Sequence, residues 1–518
     1  MGEGSGSGII GERAPIFWAA CVAISLGVLL HLPMLVEAHH MGNHMAGMGA
    51  DPAMLIGMAL IILGVPAAIY GALPKRRTPH GSMAGTSFEA AADTPLNRWH
   101  VVVLGILTLG LIIDVMKPAT LGFVLPGLAQ EYGIDRSEAA LLPLVALTGT
   151  TVGSFLWGWL ADAYGRRVSI LLSTILFVST SICGAMPSFE LNLLMCFLMG
   201  ASAGGMLPVI YTLLAEIMPP RHRSWVLVLV GGTGLVGGYL AASASAHLFE
   251  PVFGWRSLWL QGFPTGLLLL ALAPLIPESP RFLAERGRDE EVRRMQQRFG
   301  IVRLQDARRS DDALAVPSAG QGRLTTALVT AALSWSFVNF GLLLWLPSEL
   351  QGRGYSSELA SGIIASSALI ALPTITLAAW LYSRWSSKWT LVGTTLLTLA
   401  GLVGALLPAP MLGWPPLLVT VIALLIVGTN GMIAVLLPYA AENYPLGSRG
   451  RATGLIAGSS KFGGVAMQAV ALVGFIPSLG QSALALTAPM ALSALLVAGA
   501  GRETRGRSLR ELETAASR

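Results

Sequence analysis

The apolar positions of this 518-residue chain come in runs of about 20, each long enough to cross a bilayer as a helix. Fourteen such runs can be read. Two lie at about 14–37 and 52–73. A polar linker from Leu73 to Trp99 separates them from six more, at about 100–128, 138–160, 168–186, 190–217, 225–248 and 256–276. A charged stretch from Pro277 to Arg323 is followed by a last six, at about 324–348, 357–382, 389–408, 415–442, 452–475 and 481–500. The alternating pattern of a membrane barrel is missing, so strands are not expected. The pattern predicts an all-α polytopic membrane protein. Its segments are a two-helix hairpin over 1–73, a linker over 74–98, a six-helix bundle over 99–276, a central loop over 277–323, a second six-helix bundle over 324–500 and a tail over 501–518.

Composition agrees: 53% of residues are hydrophobic and only 12% charged. The net charge of +5 does not indicate a nucleic-acid partner, because the basic residues concentrate in alternate loops. Lys75, Arg76 and Arg77 lie in the linker, and ten arginines lie between 277 and 323. The positive-inside rule then places both termini in the cytoplasm of a plasma membrane. Cys21, Cys183 and Cys196 all fall in apolar runs, which suggests no disulfide framework. Few lysines beside many Ala, Gly and Arg fit a bacterial coding bias.

The two six-helix segments read as copies. "GMLPVIYTLLAEIMPPRHRS", from Gly205, aligns without a gap on "GMIAVLLPYAAENYPLGSRG", from Gly431, and seven residues are identical 226 positions apart. Parallel six-helix repeats are a transporter plan, with the substrate site between the halves near the midplane.

Three further motifs carry a resemblance. "GWLADAYGRR" spans Gly158–Arg167, "PESPRFL" begins at Pro277, and "ETRGRSL" begins at Glu503; "GWR" precedes the eighth span at 254–256. Over about residues 99 to 513 the chain resembles the major facilitator superfamily. The branch is that of sugar porters and organic-ion carriers, and within it carriers of aromatic acids and nicotinate and the synaptic-vesicle-glycoprotein-like proteins are most similar. The resemblance implies a twelve-helix core of two six-helix pseudo-repeats, with the first hairpin as an addition, working as a monomer by alternating access. It implies that Asp162, Arg166 and Arg167 latch the halves. Glu216 with Arg223, and Glu442 with Arg449, read as gate pairs at equivalent helix ends. Departures are equally specific. Cys196 stands where an arginine of the sixth span is common, Ser383 replaces the acid of the second signature loop, and the glutamine-rich pattern of hexose porters is missing from the ninth span. The paired aspartates D-x-x-D of the third span have become Asp114 and Lys117.

Ionisable groups in hydrocarbon cost roughly 2.5–3.5 kcal/mol each on insertion scales, so those that persist are functional by default. Asp114 and Lys117 share a helix face and can pair. They read either as a neutral structural pair or as cavity lining, with Pro118 softening the helix beside them. Lys461 in "GLIAGSSKFGGVAMQ" reads as charge compensation for substrate or as a helix-end residue. Counting all three gives an excess positive charge that an organic anion would neutralise. Tyr211, Gln261, Trp335 and Asn430 are polar or amphipathic residues within core spans, readable as ligands or as packing.

The loop of the first hairpin carries His39, His40, Met41, His44 and Met45. Imidazole and thioether ligands suit a copper-type transition metal; a Gly-rich turn with methionine filler is the other reading. No cofactor is otherwise expected, and no phosphate-cradling loop or catalytic constellation is found. The expected function is secondary active transport of a small organic anion, with proton coupling through Asp114. A drug or metabolite exporter, and a copper-type sensor or metal-handling protein built on a carrier scaffold, stand as alternatives. The hairpin is expected to be separable from the core.

Overall fold

The computed structural model describes residues 13–49, 51–73, 87–91, 94–304, 321–444 and 446–505. Fourteen helices among them are long and apolar enough to cross a membrane. They are numbered here as spans: span 1 (Ala14–His40), span 2 (Pro52–Ala72), span 3 (Arg98–Tyr132), span 4 (Arg136–Tyr164), span 5 (Arg166–Ala185), span 6 (Phe189–Ile217), span 7 (Pro220–Phe253), span 8 (Ser257–Leu275), span 9 (Gln321–Gly352), span 10 (Ser357–Arg384), span 11 (Ser387–Ala405), span 12 (Pro415–Asn443), span 13 (Gly450–Leu472) and span 14 (Leu479–Ala500). Side chains that face outward include Ile62, Leu63, Phe155, Trp380, Leu484 and Leu495, which is the apolar belt a lipid solvent requires.

Spans start where polar caps stand. Asn97 receives the Trp99 and His100 amides at the start of span 3, and Ser356, Ser386 and Ser478 do the same for spans 10, 11 and 14. Several spans are interrupted at sites of contact. Span 5 tightens into a 3-10 turn over Thr180–Ala185, and span 9 carries a π-turn over Asn339–Leu343 before its last helix, Leu346–Gly352.

The expectation of no strands is corrected. β1 (Ser87–Ala90) pairs antiparallel with β2 (Ile301–Leu304), Ser87 opposite Leu304 and Ala90 opposite Ile301. Both segments lie outside the spans, where neither helix nor bilayer satisfies their backbone, and pairing the two does so. The ribbon ties the segment before the core to the middle of the central loop. This side of the molecule is called the linker face; the opposite side, with the loop of the first hairpin, is the hairpin face.

The hairpin is not loosely tethered. Spans 1 and 2 pack closely, with Gly27 and Gly57 facing each other, and both rest on span 5. The loop tip is seated in the core. The Met45 and Ala46 amides donate to Glu131 Oε1 at 2.7 and 3.0 Å, and Gly47 donates to the Pro187 carbonyl at 3.3 Å. The Met45 side chain is fully buried.

The halves meet at both faces. On the hairpin face, Gly122 of span 3 lies against the Leu344 carbonyl of span 9, Arg136 donates to the Ser348 carbonyl at 3.2 Å, and the Tyr239 hydroxyl to that of Leu343 at 3.3 Å. On the linker face, Ser224 of span 7 donates to Glu442 of span 12 at 2.6 Å.

Candidate functional site

Asp114 and Lys117 part company, so of the two readings the neutral pair is not formed. Asp114 is 4% exposed, and no described residue hydrogen-bonds it. The charge that attracts it is Lys461, across the boundary between the halves. The two are too far apart for a direct ion pair, and Lys461 is only partly buried. Spans 3 and 13 thus present one acid and one base to the same seam.

Lys117 turns the other way, into the first bundle, and is wholly buried. Its Nζ donates to the Phe177 carbonyl at 2.6 Å and to Thr180 Oγ1 at 2.8 Å, and stands 4.4 Å from the centre of the Phe177 ring. The excess positive charge inferred from the sequence is therefore not gathered in one place. Asp114 and Lys461 balance each other, and Lys117 is compensated elsewhere. Thr180 and Phe177 were not legible as its partners, because nothing in their spacing marks them.

Three of the four polar candidates keep an unsatisfied atom. Gln261 donates to Thr120 Oγ1 at 3.0 Å, but its Oε1 has no partner; the Tyr211 hydroxyl and the Trp335 indole N–H have none either. Buried polar groups are normally bonded, so these three atoms stand out from the rest of the interior. Phe340 stands edge-on to Trp335, 5.8 Å between ring centres. Asn430 differs: its amide donates to the Ile426 carbonyl of its own helix at 2.9 Å.

The expected latch residues are together, in a changed pairing. Arg166 contacts Asp162 at 3.5 Å and Glu216 at 3.4 Å, all within the first half. The Asp162 side chain is 80% exposed, so this contact is worth little. A carboxylate that sequence reading left inside a motif, Glu278, is the true hub. It accepts the Arg166 amide at 2.7 Å, the Arg167 amide at 3.3 Å and the Ser279 amide at 2.9 Å, capping span 5. Gly165, at φ +105°, lets the chain pass, since a Cβ there would run into the Glu278 carboxylate. Burial pushes the Glu278 carboxyl up to about 7 against the bonds that favour its charge. In the second half Glu503 caps span 11 through Ser386 and Ser387. Burial also pushes Glu503 up, but these hydrogen bonds outweigh it and hold the carboxyl low. Glu442 accepts from Ser224, from the Tyr382 hydroxyl at 2.7 Å and from Thr504 Oγ1 at 2.7 Å, joining both halves and the tail. The Arg449 side chain lies outside the described residues.

The five residues of the metal reading, His39, His40, Met41, His44 and Met45, lie around the tip of the first hairpin. No group of three or more His, Cys, Asp or Glu able to hold a metal ion is gathered among the described residues. His39 bonds Asn43 at 3.0 Å and packs on Phe253, His44 and Met41 are exposed, and Met45 is buried under the loop. The loop folds to bring its backbone amides to Glu131, and the His39 and His40 rings lie 6.1 Å apart between centres.

Comparison with known proteins places this geometry. The profile of the Major Facilitator Superfamily matches residues 107–468. A niacin transporter, NiaP, of Acinetobacter baylyi is 27% identical over 446 residues, 81% of this chain and 98% of that one. A 4-hydroxybenzoate transporter, PcaK, of Pseudomonas aeruginosa is 31% identical over 425 residues, 78% of this chain and 92% of that one. Among solved structures, the xylose transporter XylE from E. coli, in a partially occluded inward-open conformation, aligns with a TM-score of 0.63. It is 17% identical and covers 80% of this chain and 100% of that one, so it speaks for the fold alone. The protein is a multi-pass membrane transporter, not an enzyme, and it belongs to the major facilitator superfamily.

Proposed function

We propose that this transporter moves a small aromatic or heteroaromatic carboxylate, of the niacin or hydroxybenzoate kind, across a bacterial plasma membrane by alternating access coupled to protons. The observation that carries the reading is Lys461, a partly buried cation at the seam whose counter-charge among the described residues is the carboxylate of Asp114 on the opposite half. An entering carboxylate competes with Asp114 for that ammonium. If Asp114 takes a proton, Lys461 is freed for substrate and the site stays neutral. This is the electrostatic basis for symport, and a charge-assisted hydrogen bond of roughly 1.5–3 kcal/mol anchors the ligand. Tyr211, Gln261 and Trp335 supply the unsatisfied polar atoms and aromatic surface that suit a flat ring. The relatives that transport niacin and 4-hydroxybenzoate support the same substrate chemistry.

Orientation follows from charge. The linker face carries Arg281, Arg286, Arg288, Arg293, Arg294, Arg298 and Arg303, and we take it as cytoplasmic, with both termini inside.

Uptake of labelled nicotinate and 4-hydroxybenzoate into proteoliposomes, with and without an imposed proton gradient, tests the reading. Lys461→Ala is expected to raise KM at least about tenfold, the loss of about 1.4 kcal/mol of binding. Asp114→Asn should retain binding while abolishing the response to the gradient. Equal uptake of both acids by wild type and Lys461→Ala would overturn the assignment.

A further inference from the structure

Lys117 is a lysine with no exposed surface, deep in the first bundle, and among the described residues its ionisable neighbours are the thiols of Cys183 and Cys196, not a carboxylate. An ammonium has three donors and no acceptor. All three are occupied. One goes to the Phe177 carbonyl at 2.6 Å, one to Thr180 Oγ1 at 2.8 Å, and the third faces the Phe177 ring, 4.4 Å from Nζ to its centre. None is left for a substrate.

The compensation is built from span 5. Its α-helix ends at Ser179 and tightens into the 3-10 turn Thr180–Ala185. Carbonyls in a last helical turn lack intrahelical donors and form the negative end of the helix dipole. In water such a carbonyl would be hydrated; here the Lys117 ammonium occupies the place. An aromatic face adds a desolvated cation–π contact. Span 8 makes the room: Gly262 faces the lysine, and a Cβ there would lie 3.0 Å from its Cε and 3.2 Å from its Nζ. Three spans thus form a fitted niche for one side chain.

The consequence lies one turn away. Residues three apart on a helix differ by about 60° in direction, so fixing Lys117 fixes where Asp114 points. The far side of the same helix is seated by glycines: Leu111, Ile112 and Val115 fill the spaces over Gly234, Gly237 and Gly238 of span 7. Span 3 is held from both sides, with Asp114 between them at the seam. We propose that Lys117 is a positioning residue, a cationic cap on the C-terminus of the span 5 helix that locks the rotation of span 3 and keeps Asp114 facing Lys461, and not a substrate ligand.

The proposal rests on the seam reading above, and its test separates the two. With Cys21 replaced by Ala and the fully buried Cys183 and Cys196, which lie beside Lys117, kept, Asp114→Cys provides a thiol whose alkylation by a small maleimide is followed on folded, monodisperse protein against the Cys21→Ala protein as baseline, with no substrate needed. Adding Lys117→Met, or Thr180→Val on the other helix, is expected to change that rate about threefold or more, and Lys117→Gln, which keeps a donor for the Phe177 carbonyl, to recover most of the change. In the native-cysteine protein, the same variants should lower the Vmax of carboxylate uptake per folded molecule while KM stays within about threefold, whereas Lys461→Ala moves KM. Alkylation rates unchanged by both Lys117→Met and Thr180→Val would overturn the proposal. So would a tenfold rise in KM for Lys117→Gln, which would make the lysine a ligand. Should Lys117→Met fail to fold, Thr180→Val, which removes one methyl-sized polar partner, carries the decision. Failure of wild type to transport either acid would count against the function and leave the alkylation result standing.

Discussion

Glu278 and Glu503 show how one residue type, used at equivalent places, is given opposite properties by its surroundings. Each caps the first turn of a span on the linker face. Glu278 is 9% exposed and bonded by backbone amides, and burial wins: its carboxyl is raised to about 7. Glu503 has serine hydroxyls as well as amides, and the bonds win. The signs for stability follow. A carboxyl raised in the folded state binds more protons there than in the unfolded chain, where it titrates near 4.3. Its effect is a loss of stability as pH rises from about 4.3 to about 7, by an order of 3 kcal/mol. Glu503 acts the other way: its stabilisation is present above the ordinary glutamate range and lost as pH falls through its depressed value. Thermal unfolding of wild type and Glu278→Gln across pH 5–8 should show wild type losing stability toward pH 8 and the variant losing less. Parallel curves would place the folded-state titration of Glu278 elsewhere.

Among elements, the first hairpin changes character between sequence and structure. Its amino acids read as an accessory pair of spans with a flexible loop. In the structure the loop closes a network that belongs to the core. Arg256 and Glu131 form an ion pair of 2.7 Å with both side chains 3% exposed. Trp255 donates to Glu131 at 2.9 Å, and Arg256 also reaches the Gly184 and Met186 carbonyls at 3.0 and 2.9 Å. The Met45 and Ala46 amides complete the coordination of Glu131. Removing one member of such a buried pair leaves the other uncompensated, which typically costs 3–5 kcal/mol. Glu131→Ala is expected to lower the unfolding temperature of the whole protein and also to open the 41–49 loop to protease. Deleting the hairpin should cost less than Glu131→Ala, because water then replaces the two amides while Arg256 keeps its partner. A Glu131→Ala protein with wild-type stability and a protected loop would refute this account.

For the whole molecule the decisive contact is the approach of the halves on the hairpin face. Gly122 of span 3 admits the Leu344 carbonyl, just past the π-turn of span 9, and a Cβ at 122 would run into that oxygen. π-Turns are frequent at functional sites, and here one shapes the line of contacts between the repeats. Gly122→Val is expected to hold this face apart without disturbing either bundle. A cysteine introduced at Ser348, buried at the contact, should then react with an impermeant thiol reagent several-fold faster from the hairpin side, by the arithmetic of a population shift of about 1.4 kcal/mol or more. No change in that rate would mean the contact does not limit opening.

Hydrophobic run lengths decided the class and the fourteen spans, because a bilayer leaves helices as the main way to satisfy a backbone and charges the same penalty everywhere along the chain; the two-fold repeat was legible in the residues shared between 205–224 and 431–450. Caps such as Asn97 and Ser386 were equally local. The candidates Asp114, Lys117 and Lys461 were legible for the same reason: an ionised group in an apolar run is conspicuous. What each of them faces was not legible. The spacing of Asp114 and Lys117 allows a pair, yet Lys117 finds the place where the α-helix of span 5 gives way to its 3-10 turn, and Asp114 looks to Lys461, 347 positions further along the chain. The hub at Glu131 and the cap at Glu278 sat inside ordinary-looking segments, and the short ribbon β1–β2 joins stretches over two hundred residues apart. Such choices depend on which helices are neighbours and how each is rotated. That is set by the sum of many packing contacts across the bundle, and only the folded structure holds that sum.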